Sequence, residues 1–148
     1  MSANLISYFS AYGHTRIAAE AIGALLKEQG FSYDIRKLPD PSLEIADEYK
    51  HLFILTPLYH KNVPNIWDEV LTILPETRNT AVFLCILQGK DRSSFCSASV
   101  FFKSILHKKG YKVIDELSLP SPEMTDKEEI HKFTTPKQVF SPPDKDPF

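Results

Sequence analysis

Six residues near the N-terminus, Ser10-Ala11-Tyr12-Gly13-His14-Thr15, lie between an apolar run and the start of a helical pattern. Their types suit the binding of an anion. A glycine allows a tight turn, Ser10 and Thr15 bring hydroxyl donors, and the unpaired N–H groups of a first helical turn attract negative charge. No lysine follows Gly13, so this is not a nucleoside triphosphate loop, and there is no G-x-G-x-x-G dinucleotide fingerprint. A phosphate held by backbone and hydroxyl groups without a lysine suits a monophosphate. By itself the segment is equally a turn with a capping Ser or Thr. Two further segments follow apolar runs in the same way: Thr56-Pro57-Leu58-Tyr59-His60-Lys61-Asn62-Val63-Pro64 and Gln88-Gly89-Lys90-Asp91-Arg92-Ser93-Ser94.

Bringing three such loops together requires strands that end side by side. Five strand patterns alternate with helical ones: Asn4 to Phe9, Phe31 to Leu38, Lys50 to Leu55, Thr80 to Leu87 and Tyr111 to Leu117. That alternation predicts a parallel sheet with crossover helices. Leu52 to Leu55 and Val82 to Leu87 are unbroken apolar runs, as strands covered on both faces require. The second strand carries Asp34, Arg36 and Lys37, and the fifth carries Lys112, Asp115 and Glu116. Polar alternation of this kind belongs on edge strands. Two edges and three interior strands fit the doubly wound order 2-1-3-4-5, in which ligands bind outside the carboxyl ends of the strands where the order reverses.

The helices are marked by their punctuation. Ile17, Ala18, Ala21, Ile22 and Leu25 recur at helical spacing before Gly30. Pro64 suits the first turn of a helix whose apolar face is Ile66, Trp67, Val70, Leu71 and Leu74, ended by Pro75. Ser93 or Ser94 suits the cap of a third helix facing inward with Ala98, Phe101, Phe102, Ile105 and Leu106, with Gly110 past its end. Residues Pro41 to Glu48 offer at most a short helix. Met124 to Phe133 suits one more short helix, and the prolines at 136, 142, 143 and 147 read as an extended tail. The expected division is therefore a domain over residues 1–124 and a short helix with a Pro-rich tail over 125–148. The shortened or missing last helix leaves part of one sheet face to the tail or to a partner, a homodimer being one such arrangement.

Ser10-x-x-Gly13-x-Thr15 after an apolar strand resembles the phosphate loop of the flavodoxin family, usually written (T/S)-x-T-G-x-T. Tyr12 stands where a threonine usually contacts the phosphate, and His14 where asparagine is common. Pro57-x-Tyr59-x-x-x-x-Pro64 is similar to the loop that borders the flavin ring in flavodoxins and NAD(P)H-dependent FMN reductases. The resemblance covers about Asn4 to Pro120 and implies a flavodoxin-like α/β fold with FMN as cofactor. Ser10, Tyr12, Gly13, His14 and Thr15 would then hold the phosphate. Pro57, Leu58, Tyr59, His60, Lys61 and Asn62 would border the ring, with Tyr59 suited to stack on it. Gln88 and Gly89 would meet its pyrimidine edge. His14 and His60 are expected as solvated loop residues, His51, His107 and His131 as surface or strand-end residues, and Trp67 as core.

The composition sets other bounds. A formal net charge of −2, with 24% charged and 43% hydrophobic residues over 148, gives no basic field for nucleic acid. No apolar run reaches the ~18 residues of a membrane span, and Met1 to Asn4 lacks the pattern of a signal peptide. Cys85 and Cys96 form no CxxC pair, the histidines form no metal motif, and no G-x-S-x-G elbow supports a nucleophilic triad. A cytoplasmic protein with free thiols is the expectation. No catalytic residue stands out. The site loops carry Lys61, Lys90, Arg92, His14 and His60 against Asp91 alone, a balance that favours an easily reduced flavin. Three functions stay open: an FMN oxidoreductase taking electrons from NAD(P)H or a donor protein to a quinone-like acceptor, a one-electron flavodoxin, and a cofactor-less binding module.

Overall fold

The computed structural model describes residues 3–10, 13–58, 63–88 and 93–120. Strands and helices alternate along them: β1 (Asn4–Tyr8), α1 (His14–Glu28), β2 (Asp34–Lys37), a kinked 3-10 stretch (Pro41–Glu48), β3 (His51–Pro57), α2 (Ile66–Ile73), β4 (Ala81–Gln88), α3 (Ser93–Lys108) and β5 (Lys112–Pro120). The strands form one sheet in the order β2-β1-β3-β4-β5, and every neighbouring pair is parallel. This is the expected doubly wound order. The segment 121–148, with its expected short helix and tail, lies outside the described residues.

β1 and β3 are buried along their whole length because helices cover both faces of the sheet. Successive side chains separate into two cores. Leu5, Leu52, Ile54, Val82, Leu84 and Ile86 point toward α2, α3 and the 3-10 stretch. Ile6, Tyr8, Phe53, Leu55, Phe83, Cys85 and Leu87 share the other face with Ala18, Ala19, Ile22 and Leu26 of α1. Phe53 and Phe83 stack there, with ring centroids 4.6 Å apart. Each fully buried aliphatic or aromatic side chain contributes about 1.5–3 kcal/mol before entropy is counted. Cys85 is part of this core, and burial pushes its thiol pKa up, away from reactivity.

The edges depart from the expected bounds for identifiable reasons. β2 keeps only four residues, because Phe31 and Tyr33 pack against the α1-side core before the ladder begins. β5 runs on to Pro120 and contains a bulge: Val82 pairs with Val113 but Phe83 pairs with Asp115, leaving Ile114 as the extra residue. The bulge resets which face the later residues meet. Glu116 accepts a hydrogen bond from Ser99 Oγ of α3 (2.6 Å) and pairs with Lys103. α2 starts at Ile66 with Asn65 as its cap, so Pro64 stands just before the helix rather than inside its first turn.

The end of the sheet away from the strand C-termini is heavily tied. Lys109 Nζ donates to the carbonyls of Leu71, Thr72 and Leu74 (2.8, 2.9 and 2.6 Å), satisfying orphan acceptors at the end of α2. Thr77 N–H donates to Lys109 O, and the buried Tyr111 donates its hydroxyl to Pro75 O. Gly110 turns the chain here with φ of 93°, and a Cβ on it would lie 1.8 Å from Thr77 O. His51, expected at the surface or a strand end, is at the start of β3 but only 6% exposed. Asn4 donates Nδ2–H to Ser32 O, so its Oδ1 accepts from His51 Nδ1 at 2.8 Å, which places a proton on that ring nitrogen.

Two outcomes follow. Gly110→Ala puts a methyl against backbone at a left-handed residue and should lower stability by roughly 2–4 kcal/mol in equilibrium urea unfolding. Burial, with Lys50 adding to it, lowers the His51 pKa from 6.5 to about 4, so the unfolded chain takes up the proton first. Its contribution is full above about 6.5 and is lost as pH falls toward 4, by roughly 1–3 kcal/mol. His51→Gln should flatten that part of the stability–pH curve, and an unchanged curve contradicts the assignment.

Candidate functional site

β1, β3 and β4 end next to one another at Tyr8, Pro57 and Gln88. After β1 the chain passes into α1 on one face, whereas the connection after β3 leads to α2 on the other. In a doubly wound sheet, ligands bind between two such departures.

The first loop is built around Gly13. It is left-handed, with φ 94° and ψ −13°, and a Cβ there would meet nothing within 4 Å. The positive φ, not crowding, demands glycine, and the space beside it is open. Gly13 N–H donates to Ser10 Oγ at 2.9 Å, and Ser10 is buried. Because that oxygen already accepts, the Ser10 hydroxyl hydrogen is left to donate to something else. α1 begins at His14 with no side-chain cap and no carboxylate in its first turn, and Ile17 N–H makes the bond back to Gly13 O. The N–H groups of His14, Thr15 and Arg16 therefore have no acceptor within the helix and add to its positive end. Thr15 is buried, and the half-buried His14 has its Nδ1 shielded from water with no hydrogen bond. Leaving such an atom unmet costs about 1–3 kcal/mol, which a bound polar group would recover. His14 is thus no solvated loop residue: it opens a helix and turns one nitrogen inward. Arg16 is exposed and only loosely paired with Glu20, at 3.8 Å. Tyr8, on the same side, has its phenol pKa raised by burial, with Glu20 adding to it.

The second loop leaves β3 at Pro57, which is buried, and continues through the half-buried Leu58. Leu58 N–H donates to Leu87 O of β4 at 2.9 Å, and its side chain packs against the α2–α3 core. Gln88 closes β4, opposite Pro120. Ser10, Gly13, His14, Thr15, Pro57, Leu58 and the Gln88 backbone thus come to one end of the sheet. Tyr12, Tyr59, His60, Lys61, Asn62 and Gly89 lie outside the described residues. The sequence reading missed Thr56 as a bonding residue. It is fully buried at the end of β3, and Trp67 Nε1 donates to its Oγ1 at 2.7 Å. The signal for it was a tryptophan on an apolar helix face, whose ring N–H needs an acceptor wherever it is buried. Among the described residues no group of three or more His, Cys, Asp or Glu could hold a metal, and no helix is long and apolar enough to cross a membrane.

The sequence profile of the flavodoxin family matches residues 6–133. The chain belongs to the flavodoxin family. No curated protein sequence is significantly similar to it. Its fold is similar to that of oxidised flavodoxin 2 from Bacillus cereus, at 17% identity over 88% of this chain and 92% of that one, with a TM-score of 0.73. A flavodoxin from Streptococcus pneumoniae TIGR4 gives 17% identity, the same coverages and a TM-score of 0.69. One from Fusobacterium nucleatum, solved bound to flavin mononucleotide, gives 23% identity over 77% and 70% of the two chains and a TM-score of 0.62. The cofactor of the flavodoxin family is FMN.

The residues present in this flavodoxin fit that group. The open space at Gly13, the free hydroxyl hydrogen of Ser10, the uncapped start of α1 and the unmet His14 Nδ1 all suit a phosphate. Gly13→Val should cost the apo-protein about 1–2 kcal/mol through backbone strain alone. It should weaken FMN binding at least tenfold by occupying the space beside the turn, as followed by quenching of flavin fluorescence. Wild-type affinity in a folded Gly13→Val variant contradicts the assignment.

Proposed function

We propose that this flavodoxin is a one-electron carrier that holds FMN at the C-terminal ends of β1, β3 and β4 and passes electrons between partner proteins. The observation that carries the reading is the turn at Gly13, where a buried hydroxyl and an uncapped helix start converge with no carboxylate in the helix's first turn. Bound FMN supplies the electron-accepting ring. The chain's part is to bind and orient. Ser10, Thr15, the first N–H groups of α1 and His14 take the phosphate. The loop from Pro57 to Asn62 would border the ring, with Tyr59 suited to stack on it, and the backbone at Gln88 and Gly89 would meet its pyrimidine edge.

A reductase using NAD(P)H and a quinone-like acceptor is the second reading, and the cationic balance of the loops is what favours it. Of the residues in that balance, Lys61, Lys90, Arg92, His60 and Asp91 all lie outside the described residues. The family match supports the carrier more directly. The exposed free thiol of Cys96 supports a reducing, cytoplasmic compartment.

Reductive titration of the FMN-loaded protein separates these readings. A carrier gives two resolved one-electron midpoint potentials and no NAD(P)H oxidation without a partner protein. Turnover of NAD(P)H with a quinone by the purified protein alone would establish the reductase instead. A protein that takes up no FMN would leave only the binding module.

A further inference from the structure

We infer that Trp67 is a positioning residue for FMN binding, acting through Thr56 on the Pro57–Leu58 peptide at the end of β3; the inference rests on the FMN reading above. Trp67 is the second residue of α2 and is fully buried, with its ring edge-on to Phe102 at 5.2 Å between centroids. Packing explains its bulk but not its polarity. The indole N–H only donates, and here it donates to Thr56 Oγ1 at 2.7 Å.

That bond has a consequence for Thr56. A hydroxyl that accepts from Trp67 turns its own hydrogen elsewhere, and Thr56 Oγ1 donates to Pro57 O at 3.0 Å. The other side of the same peptide unit is also held, since Leu58 N–H donates to Leu87 O at 2.9 Å. The Pro57–Leu58 peptide is therefore gripped at its oxygen from α2, through Thr56, and at its nitrogen from β4. With this peptide the chain leaves β3, next to the end of β4. The chain of donors runs one way, Trp67 to Thr56 to Pro57, and each member is buried, where an unmet partner is costly.

Trp67→Phe keeps most of the ring volume and the contact with Phe102 but removes the donor. Thr56→Val removes the hydroxyl at similar size, and Thr56→Ser restores it. FMN dissociation constants are measured by fluorescence quenching for the wild type, these three variants and the Trp67→Phe/Thr56→Val double variant. Urea unfolding of each apo-protein is measured alongside. A purely structural role lowers apo stability but leaves FMN affinity unchanged while the apo-protein stays folded. The positioning role predicts about tenfold weaker FMN binding in Trp67→Phe and in Thr56→Val, near wild-type binding in Thr56→Ser, and a double variant no weaker than Thr56→Val. Wild-type affinity in folded Trp67→Phe, or fully additive losses in the double variant, overturns it. If Trp67→Phe does not fold, Thr56→Val against Thr56→Ser decides alone. A wild-type protein that binds no FMN overturns the functional reading as well, which sets that failure apart from this one.

Discussion

Parallel pairing of β1 with β2 on one side and β3 on the other is the constraint from which the site arises. A parallel neighbour cannot be reached by a tight turn, so each connection must cross the sheet through a helix. The crossover from β1 to β2 takes α1 over one face, and the route from β3 to β4 takes α2 over the other. The chain therefore leaves β1 and β3 toward opposite faces of the sheet. A helix start, with its unpaired N–H groups, is delivered to that end of the sheet by the same geometry.

The two ends of the sheet are held in different ways. At the end away from the site, Lys109, Thr77, Gly110 and Tyr111 tie α2, α3 and the start of β4 through side-chain and backbone hydrogen bonds. At the C-terminal ends of the strands, the described hydrogen bonds include Gly13 to Ser10, Leu58 to Leu87, and the pair running from Trp67 through Thr56 to Pro57. Polar groups that would be satisfied within the protein elsewhere, such as His14 Nδ1, are left open here. That contrast is what a binding site built on a rigid scaffold requires.

Much of this was legible from residue types alone. The strand positions and the 2-1-3-4-5 order follow from where apolar runs are continuous and where Arg36, Lys37, Asp115 and Glu116 interrupt them, because burial on both faces admits no charge. The turn at Gly13 was legible because the glycine and the hydroxyls flanking it are local features. What escaped depends on partners distant in sequence. The burial of His51 rests on its register opposite Asn4 in β1, the capping role of Lys109 on α2 lying beside it, and the bulge at Ile114 on where Glu116 meets Ser99. The early start of α1 at His14 also escaped, since the apolar periodicity begins only at Ile17.

The central claim, that the start of α1 and its hydroxyls hold a phosphate, is tested most directly by calorimetric titration of apo-protein with FMN and, separately, with riboflavin. The two differ only in the phosphate. A dianion met by several N–H and O–H donors at a helix start gains about 3 kcal/mol, so FMN should bind roughly a hundredfold tighter than riboflavin. Equal affinity for the two ligands would contradict the account.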